Sequence, residues 1–334
     1  MAESSEENGG KAGEIHVEVF GRTDVGLVRE HNEDNFLVAD LESGNRSLLP
    51  AVRKHVVGAR GSLFAVCDGM GGAAAGEVAS QFAVDTVYEL MAEHDPPEEG
   101  VNQLALRLEE AVLDAGKKIY DEAKADRTRR GMGTTITAAT LISERMVFAQ
   151  VGDSRAYVIR KGEMVQSTRD QSLVNQLIEA GQLKPEEAEL FEHSNIILQA
   201  LGTAEDVSVD LTYVDLEQED VLVMCSDGLS GLVTDEQICE MVLDHEEPID
   251  ACKALTEAAR EAGGHDNITV IVATFGGDGL PPAGTHDLEY QRLEVPGRRP
   301  PRPEGGAQPR NTGELRAQGG YGGGRSHRGG AGRG

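Results

Sequence analysis

The chain has 334 residues, a formal charge of -27, a sequence pI near 4.7, 39% hydrophobic residues and no tryptophan. So acidic a balance excludes a general attraction of the folded part to nucleic acid or an anionic membrane, and no apolar run reaches the length of a membrane span. Cys67, Cys225, Cys239 and Cys252 show no C-x-x-C spacing and no apolar leader opens the chain, so the expectation is a soluble, cytoplasmic protein with reduced thiols.

Met1 to Gly13 is acidic and rich in small residues, and the end of the chain is poor in large apolar ones. One core of about 260 residues is left between them, ample for a sizeable interior. Ile15 to Phe20 alternates apolar and polar residues as a half-buried strand does, and a charged loop then leads into a second strand at Phe36 to Ala39. That arrangement leaves Arg29, Glu33 and Asp34 near the start of the second strand. Residues 41–61 read as a hairpin or surface loop.

Ser62 to Cys67 is a buried strand, and Asp68 falls where it stops. Gly69, Gly71 and Gly72 let the backbone turn tightly and approach a ligand, so the Gly69 carbonyl could stand beside the Asp68 oxygens and suit a hard cation. Asp-Gly after a strand is equally an ordinary turn signal. Two helices come next, one with Val78, Phe82, Val87, Leu90 and Met91 on its apolar face and ended by Pro96-Pro97, the other with Leu104, Leu108, Val112, Ile119 and Tyr120.

Runs at 133–142, 146–151, 155–160 and 163–168 are β-rich with short polar breaks and read as an antiparallel meander. Gly152-Asp153-Ser154-Arg155 is a tight turn in it. Residues 170–202 lose the strand pattern and read as a helical flap over the end of the sheet. Val207 to Val214 alternates again, and Asp220 to Leu229 repeats the earlier design of buried strand, aspartate and glycine. Helical patterns at 234–243 and 249–262 lead to Asp266, which opens a last strand at 268–273.

From Gly276 onward nine arginines stand against six acids among glycines and prolines. Such a segment cannot bury enough apolar surface to fold, so 276–334 reads as a disordered tail, either a solvated tether or, through its Gly-Arg steps, an RNA-binding one. The domain plan is therefore 1–13 disordered, 14–275 folded with a flap at about 170–202, and 276–334 tail.

Asp34, Asp68, Asp227 and Asp266 all lie at strand ends, and none has a His or Cys partner at metal spacing. Oxygen-only ligation points to Mg²⁺ or Mn²⁺. Four carboxylates would repel one another unless neutralised, which implies two ions. Paired divalent ions can share a water, lower its pKa and present hydroxide in line with a phosphorus atom. Arg29, with its forked guanidinium, is the candidate for binding the phosphate oxygens.

Arg29-x-x-Asn32-Glu33-Asp34, Asp68-Gly69-Met70-Gly71-Gly72, Gly131-Met132-Gly133-Thr134-Thr135, Gly152-Asp153-Ser154-Arg155, Ser226-Asp227-Gly228-Leu229 and Gly264-His265-Asp266-Asn267 together resemble the metal-dependent serine/threonine phosphatases of the protein phosphatase 2C type, in their bacterial form. The resemblance covers about residues 15–275. It implies a four-layer αββα sandwich of class α+β, two antiparallel sheets flanked by helices with a two-metal site at one end. It implies metal ligation by Asp34, Asp68, Asp227, Asp266 and the Gly69 carbonyl, with Glu33 holding a metal-bound water. Asp153 would join Asp227 in a third, weaker metal site, or else pair with Arg155 as a turn carboxylate.

The activity this resemblance implies is hydrolysis of phosphoserine and phosphothreonine in phosphorylated proteins, opposing bacterial Ser/Thr kinases, by a monomer with Arg29, Asp34 and Asp68 as catalytic residues. Rival readings are a non-catalytic phosphopeptide-binding module on the same fold and an RNA-associated scaffold acting through the tail. Two departures stand out. Met70 replaces the histidine that eukaryotic relatives use as a proposed general acid, and the flap reads Asp170-Gln171-Ser172 and Ser194-Asn195 where relatives commonly show Asp-His-Ser and Arg-Asn.

Overall fold

The computed structural model describes residues 13–71, 75–93, 101–191 and 195–293. In chain order the first strands are β1 (His16–Asp24), β2 (Asn35–Asp40) and β3 (Asn45–Arg46), followed by the short helix α1 (Pro50–Arg53), β4 (Lys54–Val56), β5 (Ser62–Cys67) and β6 (Gly69–Met70). Helices α2 (Ala75–Glu93) and α3 (Val101–Ala125) lead to β7 (Gly133–Thr134), β8 (Ile136–Ile142), β9 (Arg145–Val151), β10 (Arg155–Arg160) and β11 (Glu163–Gln166). Then come α4 (Leu173–Glu179), β12 (Asp210–Asp215), β13 (Val221–Cys225), α5 (Asp227–Ser230), α6 (Asp235–Leu243), α7 (Pro248–Glu261), β14 (Ile268–Gly276) and β15 (Gln291–Arg292).

Two antiparallel sheets pack face to face. One runs β11-β10-β13-β14-β1-β4 and the other β15-β12-β9-β8-β5-β2-β3. Strand β5 shows why its sequence reads as continuously apolar: Phe64 and Val66 enter the core between the sheets, while Leu63, Ala65 and Cys67 face the core under α2 and α3. Both faces are covered, so alternation of polar and apolar residues vanishes. On the opposite side Val223, Cys225, Val270 and Val272 meet Ile238, Val242, Ala251 and Leu255 of α6 and α7. Helix, sheet, sheet and helix therefore form the αββα sandwich that the motifs imply.

The expected meander from 133 to 168 is corrected by the pairing. β8 and β9 do form a hairpin, Thr137 opposite Gln150, but β10 leaves that sheet and pairs with β11 and β13 in the other one. The turn at Gly152 is thus a corner between sheets. Gly152 takes φ +105, and a Cβ there would stand 2.6 Å from Thr135 Cγ2, so the crossing demands glycine. Local periodicity identifies strands without saying which sheet receives them.

The expected fold limit at residue 275 is also corrected, since residues 277–293 form a strap across the edge of the sandwich. Leu280 and Leu288 are buried, Leu293 N donates to Leu211 O at 3.0 Å, and β15 pairs with β12. Beneath the strap the buried Glu217 carboxylate accepts from the backbone N–H groups of Thr285 and His286 at 2.9 and 2.7 Å. Arg160 forks onto Asp220 at 2.8 and 2.6 Å and also donates to the His286 carbonyl at 3.3 Å. The strap has few apolar residues because buried charge, rather than a broad apolar face, anchors it. Residues 41–61, read as a hairpin or surface loop, hold β3, which pairs back on β2 as a hairpin, and also α1 and β4. The expectations for 1–12, for Gly72, for the Pro96-Pro97 stop, for Ser194 and for 294–334 lie outside the described residues.

Candidate metal centre

Asp34 sits one residue before β2, Asp68 one residue after β5, Asp227 two after β13 and Asp266 two before β14. β2 and β5 are neighbours in one sheet, β13 and β14 in the other. The two sheets therefore deliver one pair of carboxylates each to the same end of the sandwich. Asp34 is buried; its Oδ2 accepts from Ser226 Oγ and Thr269 Oγ1, both at 2.7 Å, while its Oδ1 is buried with no hydrogen-bond partner. Asp227 Oδ1 and Asp153 Oδ1 are buried and unpartnered in the same way.

The electrostatics record the convergence. Burial pushes the Asp34 carboxyl up to about 7, with Asp227 and Asp266 adding to the shift. Asp68 is held far above the usual carboxylate range by burial and then by the nearby Asp34, Asp227 and Asp153. Asp227 rises chiefly through burial as well. Burial and the nearby Asp227 and Asp170 carry Asp153 up to about 7. Carboxylates that raise one another in this way need a counter-charge to ionise together.

Asp266 is the more open member. Arg29 Nη2 donates to its Oδ2 at 2.7 Å, and Asn267 N to its Oδ1 at 2.8 Å. That bond to Asp266 raises the Arg29 pKa further, with Asp68 and Glu33 contributing, so the guanidinium lies within the field of the whole cluster. Its side chain keeps 55% of its surface exposed, leaving donors free to face solvent. No three His, Cys, Asp or Glu side chains among the described residues close on one point. The carboxylates frame the site instead, Asp34 and Asp266 each held by two donors.

Glu33 is set by close packing. Its N–H donates to Asn267 Oδ1 at 2.8 Å and its carbonyl accepts from Ser80 Oγ of α2 at 2.6 Å. A Cβ on Gly76 would stand 2.3 Å from Glu33 Oε2, and one on Gly69 would stand 2.3 Å from Gly76 O and 2.5 Å from Glu33 O. Only glycines allow the start of α2 to approach this closely. Gly69 lies opposite Thr134 in the β6-β7 ladder, and Thr134 Oγ1 and Thr135 N both donate to the Asp68 carbonyl at 2.9 Å.

Arg155 does not pair with Asp153. It donates to Asp170 at 2.9 and 2.8 Å, at the base of the flap, and to Tyr157 OH at 3.1 Å. Gln171 N donates to Gly152 O at 2.8 Å, and Gly152 N to Gln171 Oε1 at 3.0 Å, so the flap is tied to the corner that carries Asp153. Sequence reasoning gives no role to Ser226, Thr269, Asn267, Thr135 or Gly76. Ser226 and Asn267 are signalled by adjacency to Asp227 and Asp266, whereas Thr269 is hidden inside an apolar strand.

Sandwich and site together define a class, the metal-dependent phosphatases. The chain belongs to the protein phosphatase 2C family, whose sequence pattern matches residues 51–268. It is 38% identical to the serine/threonine protein phosphatase PstP of Mycobacterium tuberculosis over 75% of its own length and 44% of that protein, so it spans less than half of this relative. With the serine/threonine phosphatase stp of Listeria innocua it shares 34% identity over 77% of its length and 95% of the relative's. A crystal structure of the PstP catalytic domain in complex with two manganese ions superposes with a TM-score of 0.64 at 34% identity, covering 78% of this chain and 99% of that one. No described helix is long and apolar enough to cross a membrane.

Proposed function

We propose that the protein is a phosphoprotein phosphatase that hydrolyses phosphoserine and phosphothreonine monoesters with two Mn²⁺ or Mg²⁺ ions held by Asp34, Asp68, Asp227, Asp266 and the Gly69 carbonyl. The observation that carries this reading is the set of buried, unpartnered carboxylate oxygens on Asp34 and Asp227 beside Asp68, at the meeting end of two sheets. An all-oxygen donor set of this charge fits hard divalent cations, and the PstP catalytic domain is described with two manganese ions. Such ions, when bound, supply Lewis-acid activation of water and neutralise charge on the phosphoryl oxygens.

The chain's own residues do the rest. Arg29, anchored by one nitrogen on Asp266, turns its remaining donors to the phosphoryl oxygens and aligns the ester. Ser226 and Thr269 fix the Asp34 carboxylate so that its free oxygen points into the site. Glu33, held by Asn267 and Ser80, is placed to orient a water, and Asp153 offers a further carboxylate oxygen beside Asp227 for a third, weaker cation. Met70 has no acidic proton to give, so protonation of the leaving alkoxide falls to water or to another residue. Phosphorylated proteins, among them Ser/Thr kinases and their substrates, are the partners this implies, in the cytoplasm.

The test is phosphate release by the purified full chain with Mn²⁺, using phosphothreonine peptides and p-nitrophenyl phosphate. Turnover that needs the metal and disappears in Asp227→Asn and Asp266→Asn is expected. No release with Mn²⁺ present, or unchanged turnover in both variants, overturns the proposal.

A further inference from the structure

Leu27 and Val28 stand immediately before Arg29 with 58% and 63% of their surfaces exposed, and among the large apolar residues described only Leu49 is more open. They are not on a loose loop. Leu27 N donates to Gly264 O at 2.8 Å, and a Cβ on Gly264 would lie 3.0 Å from Leu27 Cγ, so the side chain rests on the backbone two residues ahead of Asp266. The preceding Gly26 packs as tightly, a Cβ there falling 2.2 Å from Asp266 O; its N–H donates to Asp24 Oδ1 at 2.9 Å, and Arg260 donates to the same oxygen at 2.6 Å. Two aliphatic side chains are thus kept in water by a fixed turn at the rim of the carboxylate cluster.

We propose that Leu27 and Val28 form an apolar shelf that receives an aliphatic side chain flanking the phosphoresidue of the substrate. The inference rests on the phosphatase reading and adds a specificity element to it. Consecutive Cα atoms lie about 3.8 Å apart, so a phosphoryl group held at Arg29 brings the neighbouring substrate residues within reach of Val28 and Leu27, one and two positions away. Because the turn is already fixed, the contact orders nothing on the enzyme side, and the gain from covering apolar surface is retained. Leu27 and Val28 touch neither the phosphoryl group nor the ester oxygen. Their effect falls on peptide selection.

The experiment compares wild type with the double variant Leu27→Asn, Val28→Thr on three Mn²⁺-supported substrates: p-nitrophenyl phosphate, a phosphothreonine peptide flanked by leucines, and the same peptide flanked by serines. Wild type should favour the leucine peptide. In the variant kcat/KM for that peptide should fall about tenfold, as expected when roughly two methylene groups stay in water, chiefly through KM. The serine peptide and p-nitrophenyl phosphate should be unaffected, and Leu27→Met, Val28→Ile should keep the preference. Equal loss on all three substrates, or a wild type indifferent to the flanks, overturns the shelf. A wild type that cleaves none of the three substrates overturns the phosphatase reading itself, and the shelf falls with it.

Discussion

At the scale of single residues the centre is defined by what its oxygens lack as much as by what they hold. Asp34 has one oxygen saturated by two hydroxyls and the other buried without a donor. In an interior where unpaired polar atoms cost roughly 1–3 kcal/mol each, that asymmetry marks a place made for a ligand. Thr269→Ala should therefore weaken Mn²⁺ binding about 10- to 100-fold by freeing the Asp34 carboxylate to rotate, measurable by calorimetric titration of the metal. Unchanged affinity would remove the hydroxyl from any orienting role. The four aspartates are legible in the sequence because each sits at a strand end beside glycine, serine or asparagine, whereas Thr269 is invisible there: a threonine in an apolar strand looks like any β-branched filler. Cys67 and Cys225, close in sequence to Asp68 and Asp227, are fully buried, and burial pushes the Cys225 thiol up to about 12, which leaves packing as their role.

Among the elements, strands and helices are legible where periodicity is strong, and errors come where long-range pairing decides. Nothing between Val151 and Arg155 tells a reader that the chain changes sheets, because both strands are equally apolar and the corner resembles a hairpin. The strap from 277 to 293 escapes a sequence reading for a different reason. Its anchor is the Glu217, Asp220 and Arg160 cluster some sixty residues upstream and more, and composition alone weighs only local apolar content. Arg160 and Asp220 are 5% and 0% exposed at their side chains, so removing one partner leaves the other charge buried. Asp220→Asn should destabilise the domain by about 3 kcal/mol and free the strap, seen as a lowered denaturation midpoint and new protease cleavage after Lys161 or near residue 290. A midpoint unchanged within error would show that the cluster does not hold the strap.

For the molecule as a whole, charge couples fold and ligand. Asp34 and Asp153 have folded-state values of about 7, against an ordinary carboxylate value near 4, so metal-free folded protein keeps protons that the unfolded chain has already released. Stability from this source is complete below about pH 4 and is lost as pH rises through 7. In the proposed metal-bound state divalent cations would take the place of those protons. The rise in melting temperature produced by Mn²⁺ over an EDTA control should accordingly be larger at pH 8 than at pH 5.5. An equal or reversed difference would mean that these carboxylates do not meet the ion.

The order in which the sheets are assembled has an outcome for the life of the polypeptide. Strand β14 lies between β13 and β1, so a long strand late in the folded region slots beside the earliest one, and Asp266 arrives with it. A nascent chain still lacking that insertion has the early aspartates in hand but no finished reaction centre. Contacts so distant along the polypeptide are slow to form, so the four aspartates meet only after β14 has been made and has inserted beside β1. The carboxylate cluster is thus incomplete until β1 and β14 have paired.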